Sequence, residues 1–141
     1  MPTRNAEATW EGDLMKGKGS MKLGSGAFSG PFSFGTRFEG APGTNPEELI
    51  GAAHAGCFSM AFSATLGKAG YTPKRVYTTA KVHLEKVGEG FAITKSQLTM
   101  EAEIPNISEA DFKRLAEEAK KGCPVSKALA GVQIELDAKL K

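Results

Sequence analysis

One long apolar run constrains this chain more than any other feature. Thr44 or Asn45 can cap a helix there, and Pro46 suits its first turn, where a missing N–H costs nothing. Glu47 and Glu48 follow where the helix dipole favours negative charge. The helix is expected to run to about Lys68 and to stop at Gly70. Beyond its acidic start it is hydrophobic almost all round and rich in Ala, Gly and Ser. A helix of that kind belongs at the centre of a fold, buried, with partners packed close. Gly51 and Gly56 inside it each weaken a helix by about 1 kcal/mol. Their presence points to close approach of another backbone.

The rest of the chain reads as strands and two shorter helices. Thr9-Trp10-Glu11 is a strand core, Gly12-Asp13 a turn, and Gly17-Lys18-Gly19 a crossing into a second strand. From Phe32 to Phe38 the even positions hold Phe, Phe, Thr and Phe, a period of two that predicts a strand with one buried face and Arg37 on the other. Val76–Val87 and Phe91–Ile104 alternate on either side of Gly88-Glu89-Gly90, a long β hairpin. Ser108 to Asp111 is a near capping box. The helix behind it carries Phe112, Leu115, Ala116 and Ala119 on one face and stops at Gly122. Cys123 then caps a short helix with Pro124 at its first position, and Val132–Leu140 is a period-two strand. This order predicts an α+β fold with antiparallel sheets around a central helix.

The length of 141 residues suits a single domain, 1–141. The net charge of +2 is small and the basic residues are dispersed, so nucleic acid is not an expected partner. The start of the chain is polar, with no signal peptide visible, and no apolar run is read as long enough to span a bilayer. The expectation is a cytoplasmic protein with no membrane partner. In that compartment a disulfide is more often transient and catalytic than structural.

Cys57 and Cys123 are the only two cysteines. They are too distant in sequence for a CxxC pair, but a fold that joins them makes a dithiol able to cycle to a disulfide. With His54 and His83 they lack zinc-ligand spacing, so neither a metal nor another cofactor is expected. A thiol reacts as its thiolate, and burial in an apolar helix disfavours that form. Cys57 therefore needs a cation, and the candidates are Arg37, Lys68, Arg75 and His54. His54 shares a helix face with Cys57, which allows a Cys–His hydrolase pair or simply a packed helix residue. Arg37 with Glu47 allows a guanidinium fork held by a carboxylate, or a surface Arg and a dipole-pairing Glu. Cys123 at a helix N-cap would feel N–H groups that lower its pKa. Either cysteine can also be a small buried hydrophobe.

Arg37–Gly40, Gly43–Ala61, Trp10-Glu11-Gly12, Phe91–Lys95 and Gly122–Ser126 together resemble the osmotically inducible protein C (OsmC) family over nearly the whole chain. The resemblance implies an intertwined α+β homodimer with active sites at the interface. It implies a thiol-dependent peroxidase of oxidative and osmotic stress defence, taking organic hydroperoxides and, less well, hydrogen peroxide. It makes Cys57 the peroxidatic cysteine, Cys123 the resolving one, and Arg37 and Glu47 the activating pair. The reaction would pass through a Cys57 sulfenic acid and a Cys57–Cys123 disulfide that a dithiol reductant reopens. Phe34, Phe38, Phe58 and Met60 are expected to give apolar walls to the peroxide's tail. The competing readings are a Cys57–His54 hydrolase, which has no need of Cys123, and a non-enzymatic thiol redox sensor.

Overall fold

The computed structural model of the chain describes residues 2–141. In chain order it contains β1 (Ala6–Glu11), β2 (Lys18–Leu23), β3 (Ser29–Phe32), α1 (Phe34–Phe38), α2 (Pro46–Lys68), β4 (Arg75–Val87), β5 (Gly90–Glu103), α3 (Glu109–Gly122), α4 (Pro124–Ala128) and β6 (Gln133–Leu140). These form two compact units, 1–49 and 50–141, with the division falling inside α2.

In the first unit β1, β2 and β3 make an antiparallel meander. Its turn at Gly12 has φ 96°, a region that favours glycine. Gly19 lies under the paired rings of Trp10 and Phe32, and a Cβ there would come within 2.7 Å of Phe32. The expected strand from Phe32 to Phe38 is corrected. The strand ends at Phe32, and Phe34–Phe38 is the helix α1. The cause is a reciprocal cap. Ser33 Oγ accepts from the Thr36 N–H at 3.2 Å, and Thr36 Oγ1 accepts from the Ser33 N–H at 2.8 Å. Phe34 and Phe38 are then one turn apart on a helix, their ring centroids 4.8 Å apart, and not alternate residues of a strand. All six residues of β1 are exposed, and the unit's buried residues are the polar Thr36, Thr44 and Glu47.

In the second unit β4 and β5 form the expected hairpin, with an irregularity between His83 and Leu84. β6 pairs with β5 in parallel, so the expectation of antiparallel sheets holds for every pairing except this one. The reason is topological. The chain leaves β5 through α3 and α4, and that crossover returns it to the same end of the sheet. Alternate residues of β5, Ser96, Leu98, Met100 and Ala102, are buried. Leu98, Met100 and Ala102 join Phe58, Phe62 and Leu66, spaced every fourth residue on α2, and Phe112, Leu115, Ala116 and Ala119 of α3 in one core. Phe62 stacks on Phe58 at 6.0 Å and meets the edge of Phe112 at 5.8 Å. Each such large apolar side chain contributes about 1.5–3 kcal/mol on burial.

Three expectations about α2 are corrected. Its stripe Ala52, Ala53, Gly56, Met60, Ser63, Ala64 and Gly67 is exposed in the single chain, so the helix is buried on one side only. A Cβ placed on Gly51 would stand 3.4–3.7 Å from Val82 and Ala80 of β4, whereas one placed on Gly56 would meet no atom within 4 Å. These are ordinary van der Waals distances, so close approach of another backbone requires neither glycine. The helix, 23 residues with a mean hydropathy of 1.4, is also long and apolar enough to cross a membrane by length and composition. Here its apolar side chains Phe58, Phe62 and Leu66 serve the core of the second unit.

Candidate active site

The structure brings the four residues Arg37, Glu47, Cys57 and Cys123 together as two pairs, one in each unit. In the first unit Arg37 lies in the last turn of α1 and Glu47 in the first turn of α2. Arg37 Nε donates to Glu47 Oε1 at 3.0 Å and Nη2 to Oε2 at 2.7 Å, a two-bond fork. The Glu47 side chain is 10% exposed and the Arg37 side chain 35%, so the carboxylate is fixed while part of the guanidinium remains open. The Arg37 guanidinium also lies 5.6 Å from the Phe38 ring centroid. The start of α2 is held by Asn45, whose Oδ1 accepts the Glu48 N–H at 2.7 Å. Asn45 Nδ2 donates in turn to the Thr36 carbonyl at 3.1 Å, tying α2 to α1.

In the second unit Cys57 is half-buried and Cys123 is fully buried, both as free thiols. They share a hydrogen bond. Cys57 rides on α2 one residue before Phe58, whose ring is locked into the core. Ser59 adds a second anchor, its Oγ 2.7 Å from Thr78 Oγ1 of β4. Cys123 closes α3, its N–H bonded to the Ala119 carbonyl at 2.9 Å, and stands at the N-cap of α4 before Pro124.

The thiols differ in where they hold a proton. Burial pushes Cys57 up, its bond with Cys123 and that neighbour's charge add to the rise, and the Val125 N–H offsets part of it. Burial also pushes Cys123 up, but the Cys57 bond, the Ser126 N–H and hydroxyl and the Val125 N–H outweigh it, and the net direction is down. The Cys123 sulfur makes no regular capping bond. These N–H groups act on its charge from the first turn of α4. Of the two thiols, Cys123 is therefore the one whose surroundings favour ionisation, and Cys57 the one whose surroundings favour the proton.

His54 does not pair with Cys57. It is fully buried, with Nδ1 2.7 Å from Ser96 Oγ and Nε2 2.8 Å from Ser126 Oγ. Burial lowers its pKa, so it is neutral near pH 7. Both ring nitrogens are therefore already engaged, which removes the base that the hydrolase reading requires. Ser96 and Ser126 were not singled out by sequence reasoning. Ser126 stands three residues after Cys123 at N3 of its helix, and that spacing was the available signal. His83 bonds Gln97 at 2.6 Å. Among the described residues no group of three or more His, Cys, Asp or Glu gathers to hold a metal. Phe58, expected as a wall for a substrate tail, is a core residue with no exposed surface. Met60 is 76% exposed.

A family profile described as OsmC-like protein matches residues 38–137. The chain is 52% identical over 139 residues to "Peroxiredoxin OsmC" of Escherichia coli (strain K12), covering 98% of this chain and 96% of that one. It is 30% identical over 102 residues to "Organic hydroperoxide resistance protein-like 2" of Staphylococcus epidermidis, covering 70% of each. Among solved structures, an organic hydroperoxide resistance protein from Elizabethkingia anophelis superposes with a TM-score of 0.79 at 26% identity, over 100% of this chain and 98% of that one.

Proposed function

The chain belongs to the OsmC-like protein family, and from that premise we propose that it is a thiol-dependent peroxidase that reduces organic hydroperoxides. The observation that carries this reading is the hydrogen-bonded pair of free thiols, Cys57 half-buried and Cys123 fully buried. The more accessible sulfur takes the peroxide, and the buried one resolves it.

The chemistry follows from the shared proton. A guanidinium beside Cys57 favours the thiolate there and sends the proton to Cys123. Arg37, held by Glu47, supplies that cation in this reading, with N–H donors to spare for the peroxide oxygen. The Cys57 thiolate attacks one peroxide oxygen, the O–O bond breaks, and the alcohol leaves with a proton. Cys57 becomes a sulfenic acid. Cys123 attacks its sulfur, water departs, and a disulfide closes. A dithiol reductant then restores both thiols by exchange. Phe34 and Phe38, their rings tilted against each other and Phe38 beside Arg37, offer an apolar surface to the peroxide's organic part.

Two observations support a homodimer. Among the described residues the first unit has no buried apolar side chain, although it carries Trp10, Leu23 and Phe28, each more than a third exposed, and a three-stranded sheet needs a covered face to be stable. The exposed stripe of α2 centred on Met60 is a second uncovered apolar surface. Residues 1–141 would then be one domain completed by a second copy. Sedimentation equilibrium should give twice the chain mass of 14.9 kDa, and a monomer at all concentrations would remove the dimer.

The decisive assay follows cumene hydroperoxide loss with a dithiol reductant. Cys57→Ser should abolish turnover, and Cys123→Ser should lose sustained turnover as Cys57 over-oxidises. Oxidised wild type should contain the Cys57–Cys123 disulfide by non-reducing mass spectrometry. A disulfide without sustained turnover would make the protein a sensor and not an enzyme.

A further inference from the structure

His54 is a buried titratable group that the peroxidase chemistry above leaves unused. It sits among the core positions of α2, where Phe58, Phe62 and Leu66 are the neighbouring choices. A buried imidazole is costlier than those side chains unless both nitrogens are bonded. Here both are, and the bonds lead towards a thiol. Nε2 lies 2.8 Å from Ser126 Oγ. Ser126 is the N3 residue of the helix that Cys123 caps, and side chains at those two positions meet across the first turn. The Ser126 hydroxyl bonds the Cys123 sulfur, which in turn bonds Cys57. On the far side Nδ1 lies 2.7 Å from Ser96 Oγ of β5. The result is a line of buried side chains, Ser96, His54, Ser126 and Cys123, that ends at the half-buried Cys57.

We propose that Ser126 and His54 are a proton relay for Cys123, serving the disulfide-forming step and not the reduction of peroxide. The proposal rests on the reading of Cys57 as peroxidatic and Cys123 as resolving.

The line has two consistent settings. With Cys123 as a thiol, its S–H donates to Ser126 Oγ, the Ser126 O–H to His54 Nε2, and Nδ1–H to Ser96. With Cys123 as a thiolate the first two donors reverse: Ser126 donates to sulfur and His54 Nε2–H donates to Ser126, while Nδ1–H still donates to Ser96 and the ring carries the extra proton. Passing from one to the other moves the proton off the sulfur without an exposed base. The step balances. Cys123–SH and Cys57–SOH become the disulfide and one water. The S–S bond forms and the S–O bond breaks. The Cys123 sulfur is oxidised and the Cys57 sulfur is reduced. The thiol proton passes to Ser126 as the Ser126 proton passes to His54. The hydroxide leaving the half-buried Cys57 takes a proton from solvent and His54, whose neutral form burial favours, gives one up to solvent, so the net product is one water. On reduction the relay runs backwards and protonates Cys123 as it leaves. The groups surrounding Cys123 are Cys57 from α2, the Ala119 carbonyl of α3 on its backbone N–H, and Val125 and Ser126 of α4.

The test separates the two steps in the reduced full chain, using one equivalent of cumene hydroperoxide. Trapping with dimedone times the sulfenic acid. Acid quench with thiol alkylation times the disulfide. In Ser126→Ala and His54→Gln the sulfenic acid should form no more slowly than in wild type, because loss of a donor to Cys123 shifts the shared proton towards that sulfur. The disulfide should form at least ~10-fold more slowly, the scale of one hydrogen bond to a charged group. The pH profile of the disulfide step should move to higher pH in Ser126→Ala, because the thiolate loses a donor, and Ser126→Thr should restore it. Disulfide formation at the wild-type rate in both variants, or equal slowing of both steps, would overturn the relay while leaving the peroxidase reading intact. A wild type that forms neither sulfenic acid nor disulfide would end both.

Discussion

Glu47→Gln isolates the carboxylate's hold on Arg37. The fork has two bonds, at 3.0 and 2.7 Å, between a Glu47 side chain 10% exposed and an Arg37 side chain 35% exposed. Opposite charges about 4 Å apart attract by ~4 kcal/mol at an effective dielectric near 20. Desolvation of the carboxylate and the open side of the guanidinium offset much of this, leaving about 1.5–3 kcal/mol, the range for hydrogen bonds to charged groups. Glutamine keeps the shape and one acceptor, so the loss should be about 1–2 kcal/mol of orientation, a factor of roughly 5–30. That factor should appear in kcat/KM for cumene hydroperoxide and in the alkylation rate of Cys57. Glu48→Gln is the control. Glu48 shares the first turn of α2 and its dipole, worth about 0.3–1 kcal/mol, but bonds Thr44 and not Arg37. A Glu47→Gln enzyme within twofold of wild type, or a Glu48→Gln enzyme equally impaired, would refute the Arg37 assignment.

The thiol pair and the core beneath it give two further expectations. Cys123→Ser removes the neighbouring charge that helps raise Cys57, so the pH midpoint of Cys57 alkylation should fall below the wild-type value, although burial still holds it up; an unchanged or higher midpoint would mean the thiols do not share a proton. Phe62→Ala removes a fully buried ring packed between Phe58 and Phe112 and should cost about 3–5 kcal/mol in urea denaturation at fixed protein concentration. A cost below ~1 kcal/mol would show that α2 and α3 are not held by this stack.

The long helix was legible because its limits are written in backbone chemistry: Asn45, Pro46, Glu47 and Glu48 at one end, Gly70 at the other. Its exposed stripe was not, because hydrophobicity tells that a face will be covered and not by what. The stretch from Phe32 to Phe38 misled because Phe34 and Phe38 satisfy a period of two and a spacing of four equally well. Ser33 and Thr36 were the discriminating signal. Alternation in Val132–Leu140 gave the strand but not its direction, since parallel and antiparallel strands share that period. Arg37 and Glu47 were readable as a candidate pair, and the fork now has its geometry. The meeting of Cys57 with Cys123 depends on a crossover no local pattern encodes. Ser96 was hidden for the same reason, forty-two residues from the histidine it binds.

The two pairs also explain why a reactive thiol can rest safely. A thiolate permanently exposed on Cys57 would be open to any oxidant. In the second unit burial and Cys123 favour the protonated form of Cys57, while the first turn of α4 and Ser126 favour ionisation of the inaccessible sulfur. Nucleophilicity at Cys57 is thus conditional on a cation, and the Arg37–Glu47 fork resides in a unit that has no apolar core of its own. On the proposed reading, the surface that completes that unit also governs the cation, so assembly and activation are one event. The buried relay then acts after the peroxide is spent, when the charge must return to Cys123 for the disulfide to close. Separate groups therefore act on the same proton in turn: the fork draws it away from Cys57, and Ser126 with His54 takes it from Cys123.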